Sequence, residues 1–231
     1  MSLNQQASEN LQIIRSLMER STIYRAISAP TAFVGGVASI LMGVWGENII
    51  QNLTSNTPLR PYSFFIAWGL VFALTVGTHL FQLYRDSLQN GESIFSSRHF
   101  HAFKCMFPSI FTAGVISVLG IIIVGTSDVS SNAFDEIQIY LTLLWTFFYG
   151  MALLSTQTFA PKSIQILGWT FFVASFLEAL FLMLFPQLDT SEPQKFIAPS
   201  IMALTFGLFH VIYAITVKIT EVKNLPEPGS P

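Results

Sequence analysis

Residues 105–125 read CMFPSIFTAGVISVLGIIIVG, a run without a single Asp, Glu, Lys, Arg or His. At about 1.5 Å of rise per residue, a helix of this length crosses the ~30 Å hydrocarbon layer of a bilayer. The rest of the chain fits that reading. Of its 231 residues, 52% are apolar and 10% are charged, and mean hydropathy is +0.56. A soluble domain carries roughly 25% charged residues. Lipid, not water, must cover most of this surface.

Working outward from that run, five further apolar stretches of spanning length occur near residues 26–46, 63–84, 137–158, 163–186 and 196–217. The predicted fold is all-α: a polytopic membrane bundle of six transmembrane helices, preceded by an amphipathic interfacial helix. The corresponding organisation is a tail at 1–25, a six-span domain at 26–218 and a disordered tail at 219–231. The last segment, with Pro226, Pro228, Gly229 and Pro231, has the composition of an unfolded chain. The first apolar stretch lacks a short basic leader and a small-residue cleavage site, so it is not read as a signal peptide. Cys105 is the only cysteine, which excludes an intrachain disulfide.

Orientation follows from the polar breaks. With six spans, one face carries Arg15, Arg20, Arg25, Arg85, Arg98, Lys104, Lys162, Lys218 and Lys223, and the other carries only Arg60 and Lys195. The sparsely basic face instead holds Glu47, Asp128, Asp135, Glu136, Asp189 and Glu192. Basic loops stay in the cytoplasm, so both termini are expected there, in the inner membrane of a bacterium. Residues 11–24 place Leu11, Ile14, Leu17 and Met18 on one arc and Arg15, Glu19 and Arg20 on the other. That pattern suits a helix lying in the membrane interface. It serves either as a brace on the lipid bilayer or as a docking surface for a cytoplasmic protein.

Two stripes of small residues recur every four positions: Gly35, Ser39 and Gly43 in the first span, and Gly69, Ala73 and Gly77 in the second. Such stripes let helices approach closely, inside a bundle or across a seam with other membrane subunits or a homo-oligomer. Pro30 and Pro108 are placed in the first turns of their spans, where the missing N–H costs little.

Ionisable residues inside spans are expensive and become functional candidates. Glu178 stands alone in the fifth span, and a carboxyl held away from water favours its neutral form. It is read either as a proton- or cation-handling group or as a neutral hydrogen-bonding one. His79 and His210 fall at a shared depth, with Tyr149 near the same level. Two histidines at one depth could hold a metal or haem b, or each could bond a carbonyl or Tyr149. No cofactor is otherwise called for. His99 and His101 are placed in the basic loop between the second and third spans, facing headgroups.

Nothing resembles a zinc-protease helix, a phosphate loop, a nucleophile elbow or a CxxC pair. The basic residues are scattered over membrane flanks, so nucleic acid is not an expected partner. The leading reading is a non-enzymatic sensor or scaffold acting through its cytoplasmic face. The alternatives are a small transporter or channel using Glu178, and a haem or metal protein using His79 and His210.

Short motifs also carry a resemblance. The opening Arg15-Ser-Leu-Met-Glu-Arg20-Ser-Thr and the helix around Gly35-Gly36 are followed by Trp145, Tyr149-Gly150, Leu167-Gly168 and Phe206-Gly207-Leu-Phe-His210. In this order they resemble a family of six-helix bacterial integral membrane proteins. The resemblance implies no activity, substrate or cofactor, but it singles out Tyr149, His210 and the Arg20-Ser21-Thr22 entry. Where the family has a Ser-Gly pair, this chain has Ser28-Ala29-Pro30.

Overall fold

The structure, a computed structural model, describes residues 28–90, 97–126, 131–185 and 194–223. The amphipathic segment 11–24, the Arg20-Ser21-Thr22 entry and the tail 224–231 lie outside the described residues. Among the described residues, six helices are long and apolar enough to cross a membrane: span 1 (Ala29–Thr54), span 2 (Arg60–Gln89), span 3 (Phe100–Thr126), span 4 (Glu136–Leu154), span 5 (Lys162–Leu184) and span 6 (Phe196–Thr220). The protein is an all-α, multi-pass membrane bundle. An even number of these spans puts Ser28 and Lys223 on one side, called here the tail face, and its opposite is the far face.

Several helix ends run past the apolar stretches, because backbone hydrogen bonding continues once a helix leaves the hydrocarbon. Span 1 continues through Glu47–Thr54, so Glu47 is not a loop residue. It is buried on the helix, where Gln51 donates to its Oε1 at 3.3 Å. Span 3 belongs to a helix that begins at Ser97. His101 is therefore helical, not in a loop, and its ring packs 5.1 Å from that of Phe159. Pro108 consequently sits inside this helix rather than in its first turn. The helix of span 4 stops at Leu154 and turns through residues 155–160, while that of span 6 continues to Lys223. Pro30 does occupy the first turn of span 1, capped by Ser28, whose Oγ accepts from the Thr31 amide. The hydroxyls of Ser28 and Thr31 both donate to Gln82 Oε1, tying the start of span 1 to span 2.

The packing is sequential around the bundle. Span 1 packs on spans 2 and 6, span 4 packs on spans 3 and 5, and the far end of span 4 reaches span 6. Two apolar clusters fill the interior. Toward the far face, Phe64, Trp68 and Val71 of span 2 join Ile139, Ala198 and Met202. Toward the tail face, Ala32 joins Leu153, Ile164, Leu167, Phe171, Tyr213 and Val217.

Glycines set the closest crossings. A Cβ on Gly36 would stand 2.8 Å from the Gly207 carbonyl oxygen, and one on Gly43 would stand 2.6 Å from that of Pro199. Gly150 is similarly pressed on the Phe172 amide at 2.7 Å, so spans 4 and 5 nearly touch backbone to backbone. Spans 1 and 6 each contain a π-helical segment, Met42–Gly46 and Ala203–Phe209. These face one another, since a Gly43 Cβ would be 2.8 Å from that of Ala203. Wide turns of this kind often mark functional places in a helix.

Candidate intramembrane polar site

Thr142, Thr146 and Tyr149 occupy positions i, i+4 and i+7 of span 4, one face of a helix. Both threonines are fully buried. Each returns its hydroxyl hydrogen to its own helix: Thr142 donates to Gln138 O and Thr146 to Thr142 O, both at 2.9 Å. Those hydroxyls have no hydrogen left to give, only acceptor lone pairs.

One turn toward the tail face, Tyr149 Oη lies 2.7 Å from His210 Nε2 of span 6. The other ring nitrogen, Nδ1, lies 2.9 Å from the Phe206 carbonyl oxygen. A carbonyl can only accept, so Nδ1 carries a proton. In the neutral ring Nε2 must then be the acceptor, with Tyr149 donating. The π segment helps to build this contact. The His210 amide is directed to Gly207 O, and the ring takes a carbonyl one residue earlier. Phe171 closes the surroundings, its ring 4.7 Å from Tyr149 and 5.3 Å from His210, both edge-to-face. Phe206 stacks on His210, and this residue is 8% exposed.

Span 5 runs antiparallel to span 4, and the Tyr149–Phe171 contact fixes their register. Phe171, Ser175 and Glu178 stand at i, i+4 and i+7 of span 5, so the two polar faces meet. Ser175 is buried and donates to Phe172 O at 2.7 Å. Both carboxyl oxygens of Glu178 are shielded from solvent and make no hydrogen bond. Its side-chain neighbour is Thr146, which has already committed its hydrogen.

Among the residues singled out in the sequence, the structure thus joins Tyr149 to His210 and places Glu178 on the adjoining face. His79 is half-buried on span 2, whose main packing is against span 1. Span 1 packs on both span 2 and span 6, on which the two histidines are borne. A metal or haem iron on His210 would have to displace Tyr149 from Nε2. Among the described residues, no group of three or more His, Cys, Asp or Glu side chains could hold a metal ion.

The small-residue stripes differ. Gly35, Gly43 and Ser39 are covered, Gly35 by Thr75 and Gly43 by span 6. Gly69 and Gly77 face open space, and Ala73 is exposed between them. Beside that open stripe, an apolar groove of about 400 Å³ runs between spans 1 and 2, walled by Leu41, Trp45, Leu70 and Leu74.

Sequence reasoning missed Thr146, Ser175 and Ser117, the last accepting from Trp145 Nε1 at 2.8 Å. The first two were findable, because each shares a helical face with a residue that was chosen. Ser117 gave no such signal. Compared with family models, with curated proteins and with solved structures, the chain matches none.

Proposed function

We propose that this protein handles protons within the membrane, with Glu178 as the group that takes up and releases them. The observation that carries this reading is the state of the carboxyl: both oxygens sequestered, neither hydrogen-bonded. A structural carboxyl in a span ordinarily pairs with a neighbouring donor or backbone group. This one has Thr146 beside it, whose hydroxyl hydrogen is given to Thr142 O. A hard metal cation such as Ca²⁺ or Mg²⁺ would require about six or more oxygen ligands, and among the described residues no group of three or more His, Cys, Asp or Glu side chains could hold one. A proton requires a single oxygen.

Purified protein in liposomes loaded with a pH-reporting dye tests this directly. Under an imposed potential, wild-type protein should acidify the lumen. Glu178→Gln should abolish that flux while keeping the elution profile and thermal unfolding of the wild type. No proton movement by the wild type, or full movement by Glu178→Gln, overturns the reading.

The sensor or scaffold reading stands second. Its support is the stripe of Gly69, Ala73 and Gly77, which nothing among the described residues covers and which would admit another membrane helix. Location in a bacterial inner membrane, with both tails in the cytoplasm, belongs to both readings and rests on the distribution of Lys and Arg. So does membership of the six-helix bacterial family, which rests on the short motifs.

A further inference from the structure

The helices pack mainly in two groups. Spans 1, 2 and 6 form one, and spans 3, 4 and 5 form the other. At the far face the groups join where Gln194–Met202 packs on span 4 and Arg60–Tyr62 packs on the helix of span 3. Toward the tail face they join through four rings: Tyr149 of span 4, Phe171 of span 5, and Phe206 and His210 of span 6. Every pair among the four is in contact, with centroids 4.7 to 6.3 Å apart. Phe171 lies seven residues nearer the tail face than Glu178, about 10.5 Å of helical rise. The ring layer therefore stands between that carboxyl and the tail face, with Leu153, Ile164, Leu167 and Val217 beyond it.

As they stand, the polar groups beside this layer are committed. Thr146 and Ser175 give their hydrogens to Thr142 O and Phe172 O, and both His210 nitrogens are taken, by Tyr149 and by Phe206 O. A Glu178 that exchanges protons with both faces needs this side to open. Spans 4 and 5 cannot part here, since Gly150 is pressed on the Phe172 amide. Span 6 can, because its main packing is on span 1 and its π segment, Ala203–Phe209, ends where His210 begins. Moving that wide turn one residue toward the tail face would rotate His210 by about 100°, while the helix beyond keeps its phase. Such a rotation carries the imidazole off Tyr149.

We infer that the ring layer is a gate closed toward the tail face, with the Tyr149–His210 bond as its latch. Opening separates the two groups of spans on the tail side, pivoting on their far-side contact, and admits water to Glu178. The inference rests on the proposed role of Glu178. It needs no relay through the hydroxyls, because water in the opened cleft exchanges protons with the carboxyl itself. The bonds of Ser28 and Thr31 with Gln82, and of Trp145 with Ser117, each lie within one group. Tyr149–His210 crosses between the groups. A single neutral hydrogen bond is strong enough to favour the closed state and weak enough to break in each cycle.

Thiol labelling tests the gate separately from transport. Cys105 is the one cysteine of the chain, so Ser175→Cys in a Cys105→Ala background places a single thiol on the far side of the rings. Thr146→Cys is an equivalent reporter. A membrane-impermeant methanethiosulfonate reagent is applied to the tail face in sealed vesicles of known orientation. Labelling should be slow with the latch intact and at least tenfold faster with Tyr149→Phe, which keeps the ring and removes the bond. His210→Asn, too short to reach Tyr149, should open the gate in the same way and serves if Tyr149→Phe folds poorly. Ser117→Ala, which breaks a bond inside one group, should leave the rate unchanged. In the liposome assay, Tyr149→Phe should carry at least the wild-type proton flux. The gate is overturned if neither latch variant labels faster than the parent, if the parent itself labels fast, or if Ser117→Ala accelerates labelling equally. Flux lost from a folded Tyr149→Phe overturns it too. With Glu178→Gln inactive, each of those results leaves the role of Glu178 intact. An active Glu178→Gln overturns that role whatever the labelling shows.

Discussion

Spans 1 and 2 carry the same sequence device with opposite outcomes. Gly35, Ser39 and Gly43 repeat every four residues, as do Gly69, Ala73 and Gly77, and by pattern alone the two sets are equivalent. In span 1 the stripe and its neighbour Gly36 are pressed between spans 2 and 6, with a carbonyl of span 6 against Gly43. In span 2 the stripe looks outward, and no described residue covers Gly69 or Gly77. A smooth helix face states what could approach, while the neighbours decide what does. Apolar attraction cannot choose between the two faces, because lipid tails are as apolar as the side chains. The choice falls to close backbone packing and to polar ties such as those of Ser28 and Thr31 with Gln82.

The contrast should be largest where backbone meets backbone. Gly43→Val and Gly207→Val push carbons into the Pro199 carbonyl and into Ile40, so we expect each to cost about 3 kcal/mol or more. Yield of monodisperse protein in detergent and its thermal unfolding would show it. Wild-type unfolding of either variant would break the comparison at its strongest point.

A smaller effect is expected at Gly35, whose added carbon would meet Thr75 Oγ1 at 2.8 Å. That side chain can rotate, at the cost of its bond to Val71 O. Gly35→Ala should therefore cost about 1 kcal/mol, and replacing Thr75 with Ala in the same protein should recover most of it. If no recovery occurs, the strain lies in the backbone of the crossing rather than in the threonine.

Least of all is expected from Gly69→Ala combined with Gly77→Ala. With open space outside both positions, unfolding should move by no more than about 0.5 kcal/mol. A larger loss, together with a smaller particle mass in detergent, would mean that another helix covers the stripe. The scaffold reading would then take the lead.

The six spans were legible because hydropathy and length are enough to find a membrane helix. Their ends were less so. Glu47 and His101 look like loop residues by polarity, but a helix loses nothing by continuing into the headgroup region. The depth shared by His210 and Tyr149 could be read from position within the spans. That span 4 lies beside span 6 could not, because adjacency depends on glycine crossings such as Gly150 on Phe172 and Gly36 on Gly207. Glu178 announced itself as the lone acid of its span. Its missing partner did not, since whether Thr146 gives its hydrogen to Glu178 or to Thr142 O is a matter of local geometry. The motifs that carried the resemblance, Tyr149-Gly150, Leu167-Gly168 and Phe206-Gly207, mark helix-crossing points, which explains why they draw the eye without naming a reaction.

The facing π segments have a consequence for insertions and deletions. Removing one residue from an α-helical span turns everything beyond it by about 100°, which would send a buried face such as that of Thr142 and Thr146 into lipid. A π turn closes with one residue more, as where the Glu47 amide reaches back to Met42 O. Shortening Met42–Gly46 by one residue can tighten that turn to an ordinary α turn while the helix on either side keeps its phase. The same holds for Ala203–Phe209. A scan of single-residue deletions through the spans should find its tolerated positions there, where Gly43 and Ala203 meet.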